Sequence, residues 1–163
     1  MDSFYLSDIV TDPRFNAPHL VAAWELLEPV MRQKVNVILA SALAQGVELM
    51  VYETFRSQAR QADLFAHGAT QLSKVGVHHY GLACDLVRSI HGQPSWKGDF
   101  SIVGTLAREN GLIWGGDWGR PGTHNGFVDA VHVQRCAVGR QQQLFDGIWY
   151  PGLDYDPYAD PLL

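Results

Sequence analysis

From Pro29 to Gln45, apolar side chains recur at helical spacing, through Met31, Val35, Ile38, Leu39, Ala42 and Leu43, and Gly46 stops the run. Upstream, a helical pattern opens near Pro18, which suits a first-turn position. Glu28-Pro29 either breaks that helix or starts a second one. Val47 to Tyr52 is apolar and β-branched and predicts a short strand. Ser57 is placed to cap a helix reaching about Ala66 and closed by His67-Gly68. Residues 69–77 read as a loop, Leu82 to Val87 as a buried strand, and Ile90 to Lys97 as a turn-rich connection. Asp99 or Ser101 caps a further helix through Ile102, Val103, Leu106 and Ala107, which ends at Asn110-Gly111. Short strands are expected at Leu112–Trp114 and Val128–Gln134, with the Gly-rich run Gly115 to Gly126 as a long loop between them. The tail from Gly139 is expected to drape over the surface. Helices and strands mix without regular βαβ alternation, so the fold class is α+β, a small antiparallel sheet with flanking helices.

A length of 163 residues predicts one domain, residues 1–163, with a core at about 29–134 and a tail over 137–163. The net charge of −5, without a Lys/Arg run, speaks against nucleic acid as a partner. Two cysteines, Cys84 and Cys136, make no disulfide framework. No apolar stretch approaches the ~20 residues of a membrane span, so no membrane insertion is expected. The opening Met1-Asp2-Ser3-Phe4-Tyr5-Leu6 lacks a basic, then apolar, leader pattern, and synthesis in a cytoplasm is expected.

The chemistry concentrates in His78-His79-Tyr80-Gly81-Leu82-Ala83-Cys84-Asp85 and in Asp129-Ala130-Val131-His132. Two imidazoles and one carboxylate are the ligand set of a hydrolytic zinc ion that keeps one position for water. A spare carboxylate three residues before the last imidazole is what such a water needs as proton acceptor. On a regular strand His78 and Asp85 would face opposite sides. They meet only if His78 lies in a loop, Asp85 on the strand, and Gly81 turns the backbone between them. Each half alone has a plainer reading: an Asp held by loop amides, a surface Asp129, a half-buried strand His132. The set of ligands plus base is what favours a zinc peptidase.

Arg56 follows the first strand, where a fixed cation could hold a carboxylate or face a developing oxyanion; the plainer reading is a solvated helix-start Arg. Trp114-Gly115-Gly116-Asp117-Trp118 is either an aromatic wall on a flexible hinge or core filler with turn glycines. His91 and His124 read as surface residues, His124 with a chance of lining the cleft. Asp154, Asp156 and Asp160 lack the Gly and Glu of an EF-hand loop and are expected to be solvated.

Four motifs in order resemble the zinc D-alanyl-D-alanine carboxypeptidase and L-alanyl-D-glutamate endopeptidase family, and most the branch of small phage endolysins. They are Glu53-Thr54-Phe55-Arg56-Ser57 with Gln61 and Leu64-Phe65-Ala66-His67-Gly68, then His78 to Leu86, then Gly111 to Trp118, then Asp129 to Gln134. The resemblance spans roughly Pro29 to Gln134. It implies a hedgehog/D-Ala-D-Ala peptidase-like fold, Zn2+ on His78, Asp85 and His132, and Asp129 as general base. It further implies Arg56 as substrate-binding and oxyanion-stabilising cation, with Gln61, Trp114 and Asp117 beside the substrate.

Three positions depart from the family pattern. His79 replaces an Asn, so either neighbouring imidazole could be the ligand, and alignment to Tyr80-Gly81 favours His78. Gly76 stands where relatives have Ser, so a hydrogen bond supporting the ligand is expected to be missing. Val131 replaces a Pro. Asp rather than Glu at 129 resembles the endopeptidase branch. The expected activity is cleavage of the L-alanyl-D-glutamate bond in peptidoglycan stem peptides, by a monomer that reaches the wall after holin-type release. The rivals are a D-alanyl-D-alanine carboxypeptidase and a non-catalytic, zinc-stabilised wall-recognition module. Asp129 speaks against the last, since a structural site needs no spare carboxylate.

Overall fold

A computed structural model describes residues 3–119 and 127–163; His124 lies outside the described residues. The elements are α1 (Pro29–Ala44), β1 (Leu49–Glu53), α2 (Gln58–Ala66), β2 (Ala83–Ile90), β3 (Gln93–Ser95), α3 (Ser101–Glu109), β4 (Ile113–Trp114), β5 (His132–Gln134) and α4 (Gln141–Phe145). The five strands make one antiparallel sheet in the order β1-β2-β5-β4, with β3 folded back on the far end of β2. The α+β expectation holds.

Local chemistry explains the boundaries. The Glu28 carboxylate accepts from the Met31 amide at 2.8 Å and caps α1, whose first residue is Pro29. Ser57 caps α2 by accepting from the Arg60 amide at 2.9 Å. The cap position of α3 falls on Phe100, which gives no side-chain cap, and not on Asp99 or Ser101 as expected; Asp99, one residue earlier, accepts from the Ser101 amide and hydroxyl.

Alternation along the strands divides the sheet. Cys84, Leu86 and Val133 face a core built with Met31, Val35, Ile38 and Ala42 of α1 and Val103, Leu106 and Ala107 of α3. Asp85, His132 and Gln134 face the other way, into a cleft.

Trp114 belongs to the core side. Its ring packs against that cluster and its indole N–H donates to the Ala130 carbonyl at 2.7 Å. Two glycines clasp it: a Cβ on Gly104 or on Gly116 would lie 2.2 Å from a ring carbon. Gly104→Ala in α3 would gain up to about 1 kcal/mol of helix propensity. Overpacking against a ring that is held in place costs about 1–3 kcal/mol. The variant is therefore expected to be less stable, with a lower denaturant midpoint at unchanged slope; a raised midpoint would show that the ring moves freely.

Two of the expected elements need correction. No helix runs from Pro18. Instead Val21 bridges Phe55, and its carbonyl accepts from the Thr54 amide at 2.9 Å, so this segment is used as an extended partner of the chain leaving β1. Only a short turn, Trp24–Leu26, precedes α1. The connection after Ile90 is a β-hairpin rather than a plain turn, with β2 running on to pair with β3.

The tail is not merely draped. Leu144 of α4 is buried with Tyr80, Leu82 and Cys136, and Tyr150 donates to the Tyr80 carbonyl at 2.9 Å. The wholly buried Arg135 gathers the carbonyls of Gly152, Leu153 and Tyr155. Asp160 is buried and paired with Arg140 at 2.8 and 3.0 Å, not solvated, because the chain end folds back over the turn Val138–Arg140. Asp156 caps a turn by accepting from the Tyr158 amide.

Candidate active site

The register of the sheet assembles the site. Asp85 on β2 stands opposite Glu53 of β1 and opposite His132 of β5, so three polar side chains form one row across three strands. A bulge between Val51 and Glu53 brings Glu53 into that row, since it shifts the pairing by one residue. His78 arrives from outside the sheet, on the short turn Val77–Tyr80. Gly81 closes this turn at φ +71°, and a Cβ there would lie 2.7 Å from Ile9 Cδ1 and from the Leu26 carbonyl oxygen. Only glycine fits. The loop, turn and strand arrangement expected for His78 and Asp85 is the one observed.

His78 Nε2 lies 3.1 Å and His132 Nδ1 3.3 Å from the same oxygen, Asp85 Oδ1. One ligand atom from each of the three residues falls within 4.8 Å of the others. The remaining ring nitrogens are committed elsewhere. His78 Nδ1 donates to the Thr54 carbonyl at 3.4 Å. His132 Nε2 lies 2.9 Å from Gln134 Oε1, and the Gln134 amide nitrogen donates to the Cys136 carbonyl, which fixes oxygen towards the ring. With those protons placed, two lone pairs and a carboxylate oxygen face one point. That arrangement is repulsive unless a cation sits there, so the donor set fits a metal ion with two nitrogen ligands and one oxygen ligand. Despite burial, the neighbouring imidazoles hold Asp85 well below the usual carboxylate range. Burial also opposes a charged His132, yet Asp85 raises it.

His79 is not a rival ligand. Its Nδ1 donates to the Arg56 carbonyl at 3.1 Å, its Nε2 accepts from the Tyr5 hydroxyl at 3.1 Å, and its ring sits among Phe15, Phe55 and Tyr80. Burial pushes it towards the neutral form. It is a satisfied core histidine that braces the backbone of Arg56.

Arg56 is no solvated helix-start residue. Its guanidinium pairs with the buried Glu53 through Nε at 2.9 Å and through a second, shorter contact. It reaches Asp85 Oδ2 at 3.3 Å and Gln61 Oε1 at 3.5 Å. Burial opposes its charge, but the Glu53 carboxylate more than offsets this and keeps the guanidinium protonated. Gln61 is buried, with its amide donating to the Leu72 carbonyl at 2.6 Å.

These groups line a cleft of about 690 Å³ that also receives Arg60, Trp118 and Asp129. Trp114 and Asp117, expected beside the substrate, do not line it. Trp114 is clasped in the core as above, and Asp117 turns away to pair with Arg108 at 2.7 Å. Trp118 takes the aromatic place, its ring 5.2 Å from that of His132. It lies in the same Gly-rich motif, four residues on from Trp114, and the choice between the two indoles depends on which meets the small residues of α3. The motif that contains Glu53 assigns it no role. A lone glutamate ending an apolar strand, three residues before an Arg, was the available signal.

Residues 67–135 match the protein family described as D-alanyl-D-alanine carboxypeptidase. The chain is 28% identical to the peptidoglycan L-alanyl-D-glutamate endopeptidase CwlK of Bacillus subtilis, over 66% of this chain and 72% of that protein. It is 34% identical to the L-alanyl-D-glutamate peptidase of Listeria phage A118 over 56% of this chain, which spans only 31% of the phage enzyme. Among solved structures, the L-Ala D-Glu endopeptidase ChiX of Serratia marcescens superposes with a TM-score of 0.53 at 27% identity, covering 79% of this chain and 93% of that one. The LD-carboxypeptidase LdcB, at 19% identity and a TM-score of 0.52, shares the fold over 66% of this chain and 58% of its own. In its ordered motifs, its fold and these matches, the chain is similar to the D-alanyl-D-alanine carboxypeptidases and L-alanyl-D-glutamate endopeptidases.

Proposed function

We propose that this protein is a zinc peptidase that cuts the L-alanyl-D-glutamate bond of peptidoglycan stem peptides. The observation that carries the reading is the convergence of His78 Nε2, Asp85 Oδ1 and His132 Nδ1, with both outer ring nitrogens already hydrogen-bonded. The choice of bond is supported by the activities named for CwlK, the phage enzyme and ChiX.

A zinc ion held by His78, Asp85 and His132 would polarise the scissile carbonyl and acidify a water towards ~7. The protein supplies the rest. Asp129 stands in the cleft beside the ligand row and accepts the proton of the attacking water, then returns it to the leaving amine. Arg56, held by Glu53 and Asp85, presents a fixed positive charge towards the oxygen that becomes anionic. Trp118 covers His132 and keeps bulk water from that side. Thr54 and Gln134 hold the two imidazoles in the tautomers the metal requires.

We place the protein with phage-type endolysins, on its likeness to the Listeria phage enzyme. It would then act as a monomer and reach the wall through a separately made membrane lesion. Digestion of purified peptidoglycan followed by mass spectrometry of the products tests the reading. New amino-terminal D-glutamyl fragments are expected from zinc-loaded protein, and none after chelation until zinc is restored. Release of free D-alanine instead would assign the carboxypeptidase activity, and undiminished cleavage by chelated protein would remove the metal from the mechanism.

A further inference from the structure

Glu53 joins two guanidinium groups, one on each carboxylate oxygen. Oε2 holds Arg56, which leans on towards Asp85, while Oε1 lies 3.4 Å from Arg60 Nε on the opposite side. The contacts therefore pass from Asp85 through Arg56 and Glu53 to Arg60, and all four residues line the cleft. The two cations are not equally engaged. Arg56 is bound by two carboxylates and an amide oxygen. Arg60, on the first turn of α2, has that one long hydrogen bond and a 3.8 Å approach to the half-exposed Asp63, among the described residues. A contact of that length to an exposed carboxylate is weak. Most of the Arg60 donor fork thus remains available in the cleft.

Resting on the proposed cleavage of an L-alanyl-D-glutamate bond, we infer that Arg60 is the specificity residue that binds the free carboxylate of the substrate's D-glutamyl residue. Glutamate has two carboxyl groups. Only one carries the peptide onward, so the other is a free anion on the leaving side of the scissile bond, within one residue of the reacting carbonyl. Arg56 sits at the ligand row and serves that carbonyl. Arg60, one carboxylate further along, is placed for the next charged group, and its planar fork matches a carboxylate in two-point contact. Amidation of this carboxylate, giving D-isoglutamine, removes the charge and puts an NH2 against the donors of Arg60.

The test compares a stem peptide containing D-glutamate with its D-isoglutamine counterpart, by kcat/KM and by the dissociation constant in the zinc-loaded Asp129→Ala protein. The D-glutamate form is expected to be favoured about 10- to 100-fold in both measures, as for loss of a charge-assisted hydrogen bond. Arg60→Gln should bring the ratio close to one, and Arg60→Lys, which keeps a charge beside the buried Glu53, should leave an intermediate ratio. Unchanged far-UV circular dichroism and melting of Arg60→Lys would show that a change in ratio is not unfolding. A wild-type ratio near one, or one retained in Arg60→Gln, overturns the assignment while leaving the peptidase reading intact. Selective binding without cleavage keeps Arg60 as the carboxylate reader and discards the proposed reaction. Binding of neither peptide removes both.

Discussion

Replacing His132 by alanine is expected to strip the protein of its metal and of its activity together. His132 is a buried strand residue whose Nδ1 faces Asp85 Oδ1 at 3.3 Å and whose Nε2 is braced by Gln134. Losing an outer contact of a metal site costs about 10–100-fold in affinity or activity. Losing one of three protein ligands must cost more, since the two that remain cannot complete the ligand set. After dialysis, zinc measured by atomic absorption should fall from about one per chain towards zero, and turnover of stem peptide by more than about 100-fold. The fold should survive, because β5 is held to β2 through main-chain pairing at Ala83–Gln134 and Cys84–Val133. Far-UV circular dichroism checks this. A variant that still holds one zinc per chain would show that the ion is bound by a different set of residues.

The candidate ligand residues are legible in the sequence because they need unusual neighbours to be tolerated. Asp85 lies among Leu82, Ala83, Leu86 and Val87, and a buried carboxylate there demands a partner. Glycine at 81 signalled the turn that brings His78 round to it, and φ +71° there is the reason. The row Glu53–Asp85–His132 was not legible. It depends on strand register and on a one-residue bulge, and neither leaves a mark in the spacing of residues along one chain.

The same limit explains the two tryptophans. Trp114 and Trp118 share a motif, and the packing of Gly104 and Gly116 against Trp114 separates the indole on the core side from the one that reaches the cleft. The burial of Arg135 and Asp160 leaves no mark in the sequence for a different reason. Charged residues are seldom buried, and both are buried here through contacts reaching 17 to 20 residues along the chain to or from the tail. The helix expected from Pro18 failed because the extended pairing of Val21 with Phe55 satisfies backbone groups that a helix would otherwise have used.

Asp129→Ala separates catalysis from metal binding. What Asp129 does for the fold is done by its main chain: its amide donates to the Gly115 carbonyl at 2.9 Å and its carbonyl accepts from the His132 amide at 3.3 Å. Gly115 comes so close that a Cβ there would lie 2.4 Å from the Asp129 carbonyl oxygen, so the turn is fixed by backbone packing and not by the carboxylate. Removing the side chain should leave the melting temperature and the zinc content unchanged. In the proposed mechanism the carboxylate stands outside the candidate ligand set of His78, Asp85 and His132 and serves the reaction alone. A positioned general base contributes about 10²–10⁴-fold. That loss should fall on kcat with KM little altered, since proton transfer is made in the transition state and not in substrate binding. A variant that loses zinc as well would make Asp129 a ligand. One that keeps its turnover would move the base elsewhere in the cleft.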